Sequence, residues 1–107
     1  MQVGIQVLSK FPPENRREFI RSFKILPQFD GCRKNCSFGR LFEDVGELNS
    51  FLWVQYWRNE NAMEEYLQSN RFKTLMGAIE TLGELIHFNK IQFQNIQQKR
   101  QSKEKRT

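Results

Sequence analysis

The chain has 107 residues, 38% hydrophobic and 13% aromatic, with ten phenylalanines, which fits a single folded domain and argues against disorder for its body. Of its net charge of +5, four charges come from the last residues, where Lys99, Arg100, Lys103, Lys105 and Arg106 stand against Glu104. No run approaches the ~18 apolar residues of a membrane span, and MQVGIQVLSK lacks the basic start and apolar length of a signal peptide, so a cytoplasmic protein with no membrane partner is expected.

Residues 3–8 alternate, Val3, Ile5 and Val7 against Gly4, Gln6 and Leu8, as a first strand with one buried face does. Pro12 and Pro13 suit the first turn of a helix, and Glu14 and Glu18 suit its positive end. Phe19, Ile20, Phe23 and Leu26 form its apolar stripe, with Asn15, Arg16, Arg17, Arg21 and Lys24 outside it, and Pro27 closes it.

After the turn residues Phe29-Asp30-Gly31, a polar second strand is expected over Cys32–Glu43, with Cys32, Cys36, Phe38, Arg40 and Phe42 on one face. Gly39 inside it signals a bulge or a close approach by another group. Residues 44–47 turn the chain into Phe51–Trp57, so these two strands are expected to be antiparallel neighbours. In Phe51–Trp57 both faces are rich in apolar residues: Phe51, Trp53, Gln55 and Trp57 on one, Leu52, Val54 and Tyr56 on the other.

Asn59 or Asn61 can cap the next helix, the latter in a capping box with Glu64, and Met63, Tyr66 and Leu67 make its apolar stripe. Ser69 caps a second segment, in which Phe72, Leu75, Met76, Ile79 and Leu82 recur at helical spacing until Gly83 stops it. Leu85–Phe93 is the last strand. The expected domain spans 1–96, followed by a basic, disordered tail over 97–107. With no aromatic residue interleaved among its charges the tail has nothing to stack on a base, and nucleic acid is not expected as a partner.

Cys32 and Cys36 would stand about 13 Å apart on a strand, beyond the ~7 Å Cα limit for a disulfide. With a single histidine in the chain they have no companions for a zinc site, so they read as reduced thiols and no metal is expected.

The order β-α-β-β-α-β, with the second helical region in two pieces, predicts an α+β, ferredoxin-like domain with a four-stranded antiparallel sheet. Two helical regions cover one face of such a sheet. The other would expose more apolar surface than a monomer usually shows, and a second copy of the sheet is the expected cover, giving a homodimer.

From Val3 to Phe93 the chain resembles the antibiotic biosynthesis monooxygenase family of dimeric α/β-barrel proteins. The resemblance rests on the phenylalanine-rich first helix running into F-D-G-C, the strand FLWVQYW closed by a tryptophan, and W-R-N-E-N-A-M-E-E-Y-L-Q-S-N-R-F. It implies either a cofactor-independent monooxygenase oxidising a small aromatic quinol or anthrone-like substrate with O2, or a non-catalytic dimeric module that binds a small apolar ligand or acts as an interaction domain. A cofactor-free oxygenase needs a dry apolar cavity, aromatic walls for a flat ring and one or two groups to manage protons. Trp57, Tyr66 and His87 are the candidate catalytic residues, and Trp53, Tyr56, Asn35 and Arg40 the candidate substrate contacts; no cofactor is expected.

Two positions depart from the oxygenase pattern: Tyr66 stands where histidine is frequent, and Trp53 where a strand asparagine is expected. The haem-degrading pattern of a first-strand asparagine, a tryptophan at Tyr66 and a histidine at Met76 is absent, so haem breakdown is rejected.

Overall fold

The computed structural model describes residues 2–25 and 36–93. Leu26, Pro27, the turn at 29–31, Cys32, Asn35 and the tail lie outside the described residues. Strand β1 (Gln2–Lys10) leads through a 3-10 turn (Pro13–Asn15) into α1 (Arg16–Ile25); β2 (Cys36–Glu43) and β3 (Ser50–Trp57) form a hairpin. Then follow α2 (Glu60–Leu67), α3 (Asn70–Leu82) and β4 (Glu84–Phe93). The sheet runs β2-β3-β1-β4, with antiparallel pairs throughout, which is the ferredoxin-like α+β fold expected from the element order.

Register divides the sheet into two faces, because residues paired across antiparallel strands point to the same side. Under the helices lie Val3 beside Trp57, Ile5 beside Gln55, Val7 beside Trp53 and Ser9 beside Phe51. All eight are buried. Phe19 and Phe23 of α1, Met63 and Tyr66 of α2, and Leu75 and Ile79 of α3 close over them. Phe11, just after β1, stacks on Phe19 with centroids 4.1 Å apart and meets Phe51 edge-on at 5.8 Å.

Among the described residues, the opposite face carries no helix. Across it run the rows Phe38–Tyr56–Gly4–Ile91, Arg40–Val54–Gln6–Asn89 and Phe42–Leu52–Leu8–His87. Phe38 is 36% exposed, Phe42 49% and Leu8 36%, so two apolar rows flank a more polar one in the open. The ring of Tyr56 lies over Gly4, whose missing side chain makes room for it: a Cβ there would collide with that ring and with the Gln55 carbonyl.

Caps follow the sequence, with one choice settled and one reason changed. Asn59, and not Asn61, caps α2, its Oδ1 accepting from the Ala62 N–H at 2.8 Å. Ser69 caps α3 through the Phe72 N–H at 3.2 Å. Gly83 does end α3, but at φ −157° and not in left-handed backbone; a Cβ there would run into the Phe11 ring and the Lys10 carbonyl. Asn15 caps the same end from a distance, donating from Nδ2 to the Leu82 carbonyl at 2.8 Å.

The bulge, one of the two readings of Gly39, falls earlier, between Cys36 and Phe38. Gly39 pairs regularly with Gln55, whereas Cys36 pairs with Trp57, so the alternation expected to run from Cys36 to Phe42 is broken by the extra residue, and Cys36 does not share the register of Phe38, Arg40 and Phe42. A second shift, between Leu8 and Ser9, leaves Ile86 as the extra residue on β4. Among the described residues no helix is long and apolar enough to cross a membrane.

Candidate functional site

The chemistry-bearing side chains gather where β3 passes beneath α2 and α3. Trp53 and Trp57 are four apart on one strand face and therefore line the same wall; they are 1% and 2% exposed. Tyr66 arrives from the apolar stripe of α2, its ring 5.2 Å from that of Trp57 and 6.4 Å, edge-on, from that of Trp53. Phe72, in the first turn of α3, lies 5.7 Å from Tyr66 and 6.0 Å from Trp53, and Phe23 of α1 meets Trp53 edge-on at 5.7 Å. Ser69 holds the joint between α2 and α3: its hydroxyl donates to the Tyr66 carbonyl at 2.6 Å while accepting from the Phe72 N–H. One serine thereby fixes the spacing of two rings of the wall.

Polar groups are few in this wall. The Tyr66 hydroxyl is buried and has no hydrogen-bond partner among the described residues. Burial raises its pKa far above the ordinary value, with the positive charge of Arg71 a smaller opposing influence, so it remains a neutral phenol and cannot serve as a base near neutral pH. Gln55, fully buried between the two tryptophans, accepts from the Trp53 indole N–H at 3.1 Å.

The sequence reading gathered the seven candidates about one cavity, but the sheet divides them. Trp53, Trp57 and Tyr66 lie together under the helices. Tyr56 and Arg40 occupy alternate positions on their strands and so belong to the open face, and His87, exposed, pairs with Leu8 on that same face. There the Tyr56 ring stacks on Phe38 at 5.3 Å, and the Arg40 guanidinium sits 5.1 Å from the Phe38 centroid while Nη1 donates to the Gly39 carbonyl at 2.8 Å. Asn35 lies outside the described residues.

Gln55 was not among the candidates, although its signal was present as the single polar residue on the Phe51-Trp53-Gln55-Trp57 face. Phe72, expected as the first residue of the helically spaced apolar run after Ser69, proves to be part of the wall. Beyond it a groove of about 330 Å³ opens between the helices and β4, lined by Leu67, Phe72, Met76, Leu85 and Phe88. The ion pair of Glu64 with Lys90, 3.0 Å, stands at its rim. Among the described residues no cluster of three or more His, Cys, Asp or Glu side chains could hold a metal ion.

The model of the antibiotic biosynthesis monooxygenase family matches residues 2–78. YcnE of Bacillus subtilis (strain 168), whose name proposes a monooxygenase, is 32% identical over 71 residues, 66% of this chain and 75% of that one. A conserved protein from Methanosarcina mazei Go1 superposes with a TM-score of 0.77 at 14% identity, over 88% of this chain and 94% of that one. SnoaB, a cofactor-independent oxygenase from Streptomyces nogalater, superposes with a TM-score of 0.73 at 15% identity, over 88% of this chain and 94% of that one. The two solved structures establish likeness of fold, and the family match, covering most of the chain, establishes kinship: this protein belongs to the antibiotic biosynthesis monooxygenase family.

Proposed function

We propose that the protein is a cofactor-independent monooxygenase that oxidises a small aromatic quinol or anthrone-like substrate with O2. The observation that carries this reading is the wall of Trp53, Trp57, Tyr66 and Phe72, an aromatic surface whose hydroxyl at Tyr66 is left without a partner among the described residues. Such a wall holds a flat ring and excludes water, and a deprotonated quinol or anthrone itself supplies the electron that O2 needs. The groove beside Phe72 offers the approach. SnoaB, of the same fold, is described as a cofactor-independent oxygenase, which supports the assignment by analogy of fold.

We further propose that the open sheet face is covered by a second copy of the chain. Two apolar rows on either side of a polar row let an identical face meet it about a twofold axis, apolar row against apolar row.

The test is isotopic. Conversion of anthrone to anthraquinone consumes one O2, placing one oxygen atom in the new carbonyl and the other in water together with both methylene hydrogens. With labelled O2 and no added metal or flavin, the expected product carries one labelled oxygen, formed faster than in the protein-free control. Equal rates with and without protein, for anthrone and for a naphthoquinol, would remove the reading. A non-catalytic ligand-binding module is the second reading, favoured by the near-complete burial of Trp53 and Trp57 by the chain's own side chains. It predicts apolar-ligand binding without oxygen consumption.

A further inference from the structure

His87 is the single histidine of the chain, and the oxygenase reading makes no use of it. It lies exposed on the open face of the sheet, at the β4 end of the row Phe42–Leu52–Leu8–His87. Its surroundings are apolar: Leu8 is its partner on β1, and Ile86, the extra residue of the adjoining bulge, is 47% exposed. Among the described residues the neighbours on this face all come from strands, and register assigns three charged side chains to it. Arg40 of β2 stands in the next row, and Lys10 of β1 stands opposite Glu84 of β4 in the row beyond. Lys10 also donates to Glu47 at 2.6 Å. The one carboxylate that register places on this face is therefore set against a lysine.

We propose that His87 is a proton-operated switch of the dimer, a role that rests on the reading that a second copy covers this face and adds its regulation. Neutral His87 lets two open faces close on one another, and protonated His87 separates them. A twofold axis sets the face against itself, so the second copy brings the same cations and apolar rows and no further kind of carboxylate. A protonated imidazole covered by that surface loses its hydration, gains no counter-ion and lies in a field to which both copies of Arg40 contribute. Dimerisation therefore favours the neutral ring. Above the ordinary histidine value, about 6.5, the ring is neutral in both states and association is unimpeded. Below it the separated chains take up a proton that the dimer excludes, so falling pH favours separation. Between about pH 7.5 and about pH 5.5 this exclusion weakens association about tenfold per histidine, or about 100-fold in the Kd of the dimer. Carboxylates with ordinary values near ~4 stay ionised throughout that interval.

The experiment is sedimentation equilibrium of wild type, His87→Gln and His87→Lys at about pH 7.5 and about pH 5.5, at one ionic strength, with circular dichroism of each sample. Wild type should be a folded dimer at the higher pH, and its Kd should rise about 100-fold at the lower with the dichroism unchanged. His87→Gln keeps a polar side chain that does not titrate, so its Kd should change by less than about threefold. His87→Lys carries the charge at both pH values and should be a folded monomer at concentrations where wild type is dimeric at the higher pH. A wild-type Kd that is equal at the two pH values, the same rise in His87→Gln, or a His87→Lys dimer as tight as wild type would each overturn the switch and leave the dimer reading standing. Loss of dichroism by wild type at the lower pH would overturn it in favour of acid unfolding. Folded wild type that is monomeric at both pH values would overturn the dimer reading itself, and the switch with it.

Discussion

The indole N–H of Trp53 donates to Oε1 of Gln55, two residues along the same strand, at 3.1 Å, and both side chains are buried under the helices. Strand geometry alone makes this possible, since i and i+2 share a face. Replacing Gln55 by Leu leaves the indole N–H buried without an acceptor, and a loss of about 1–3 kcal/mol in stability is expected. The double variant Trp53→Phe with Gln55→Leu removes both partners and should recover part of that loss. Urea unfolding of the four proteins at one fixed concentration gives the coupling directly; additive losses would show that the bond contributes nothing.

Arg16 and Glu43 form a two-pronged ion pair, Nε to Oε2 at 3.0 Å and Nη2 to Oε1 at 2.6 Å, joining the start of α1 to the end of β2. Glu43 also accepts from the Asn49 N–H at 3.0 Å, where the hairpin turns through left-handed backbone at Asn49, φ 70°. The Arg16 guanidinium first, and the Asn49 N–H second, lower the Glu43 carboxyl from its ordinary 4.5 to about 2. A depressed carboxylate adds stability that is fully present above the unfolded pKa and is lost as pH falls from 4.5 through about 2. Melting temperatures of wild type and Glu43→Gln should therefore differ most above that window and converge below it. A constant difference across the window would contradict the account.

The open face predicts association. A sheet-to-sheet homodimer should bury on the order of 2,000 Å² or more, and sedimentation should give twice the 12.9 kDa chain mass at micromolar concentration. Leu52→Glu places a charge in the row Phe42–Leu52–Leu8–His87 and should shift the protein to monomer with its helices intact by circular dichroism. Wild type that sediments as a stable, folded monomer would sink the assignment of this face.

Much of the fold was legible because its signals are local. Alternation in residues 51–57 assigned both faces of β3, and the helical spacing of Phe72, Leu75, Met76, Ile79 and Leu82 gave α3 from Ser69 to Gly83. The bulges near Ser37 and Ile86 were not legible: register shifts depend on the partner strand, and nothing in either strand alone marks them. The wall of Trp53, Trp57 and Tyr66 could be read because strand period and helix stripe both point inward. His87, Arg40 and Tyr56 were misgrouped with it because alternation says that two residues differ in face without saying which face the helices cover. Gln55 shows the converse, a buried amide visible in the sequence as one polar residue in an apolar series and passed over for its more conspicuous aromatic neighbours.

Oxygen uptake by wild-type protein and by a Trp57 variant tests the central claim most directly. Trp57→Ala can itself cost about 3–5 kcal/mol by leaving a cavity, so Trp57→Phe, which keeps most of the apolar volume, is the variant to compare on protein shown to be folded. With anthrone or a reduced naphthoquinone, and no added metal or flavin, wild type should consume O2 well above the spontaneous rate. Trp57→Phe should lower turnover by about tenfold while the melting temperature falls only modestly, because the smaller ring no longer fixes the substrate plane. Uptake indistinguishable from the protein-free rate in wild type, on folded protein that still binds an apolar ligand, would contradict the account and leave a binding module in its place.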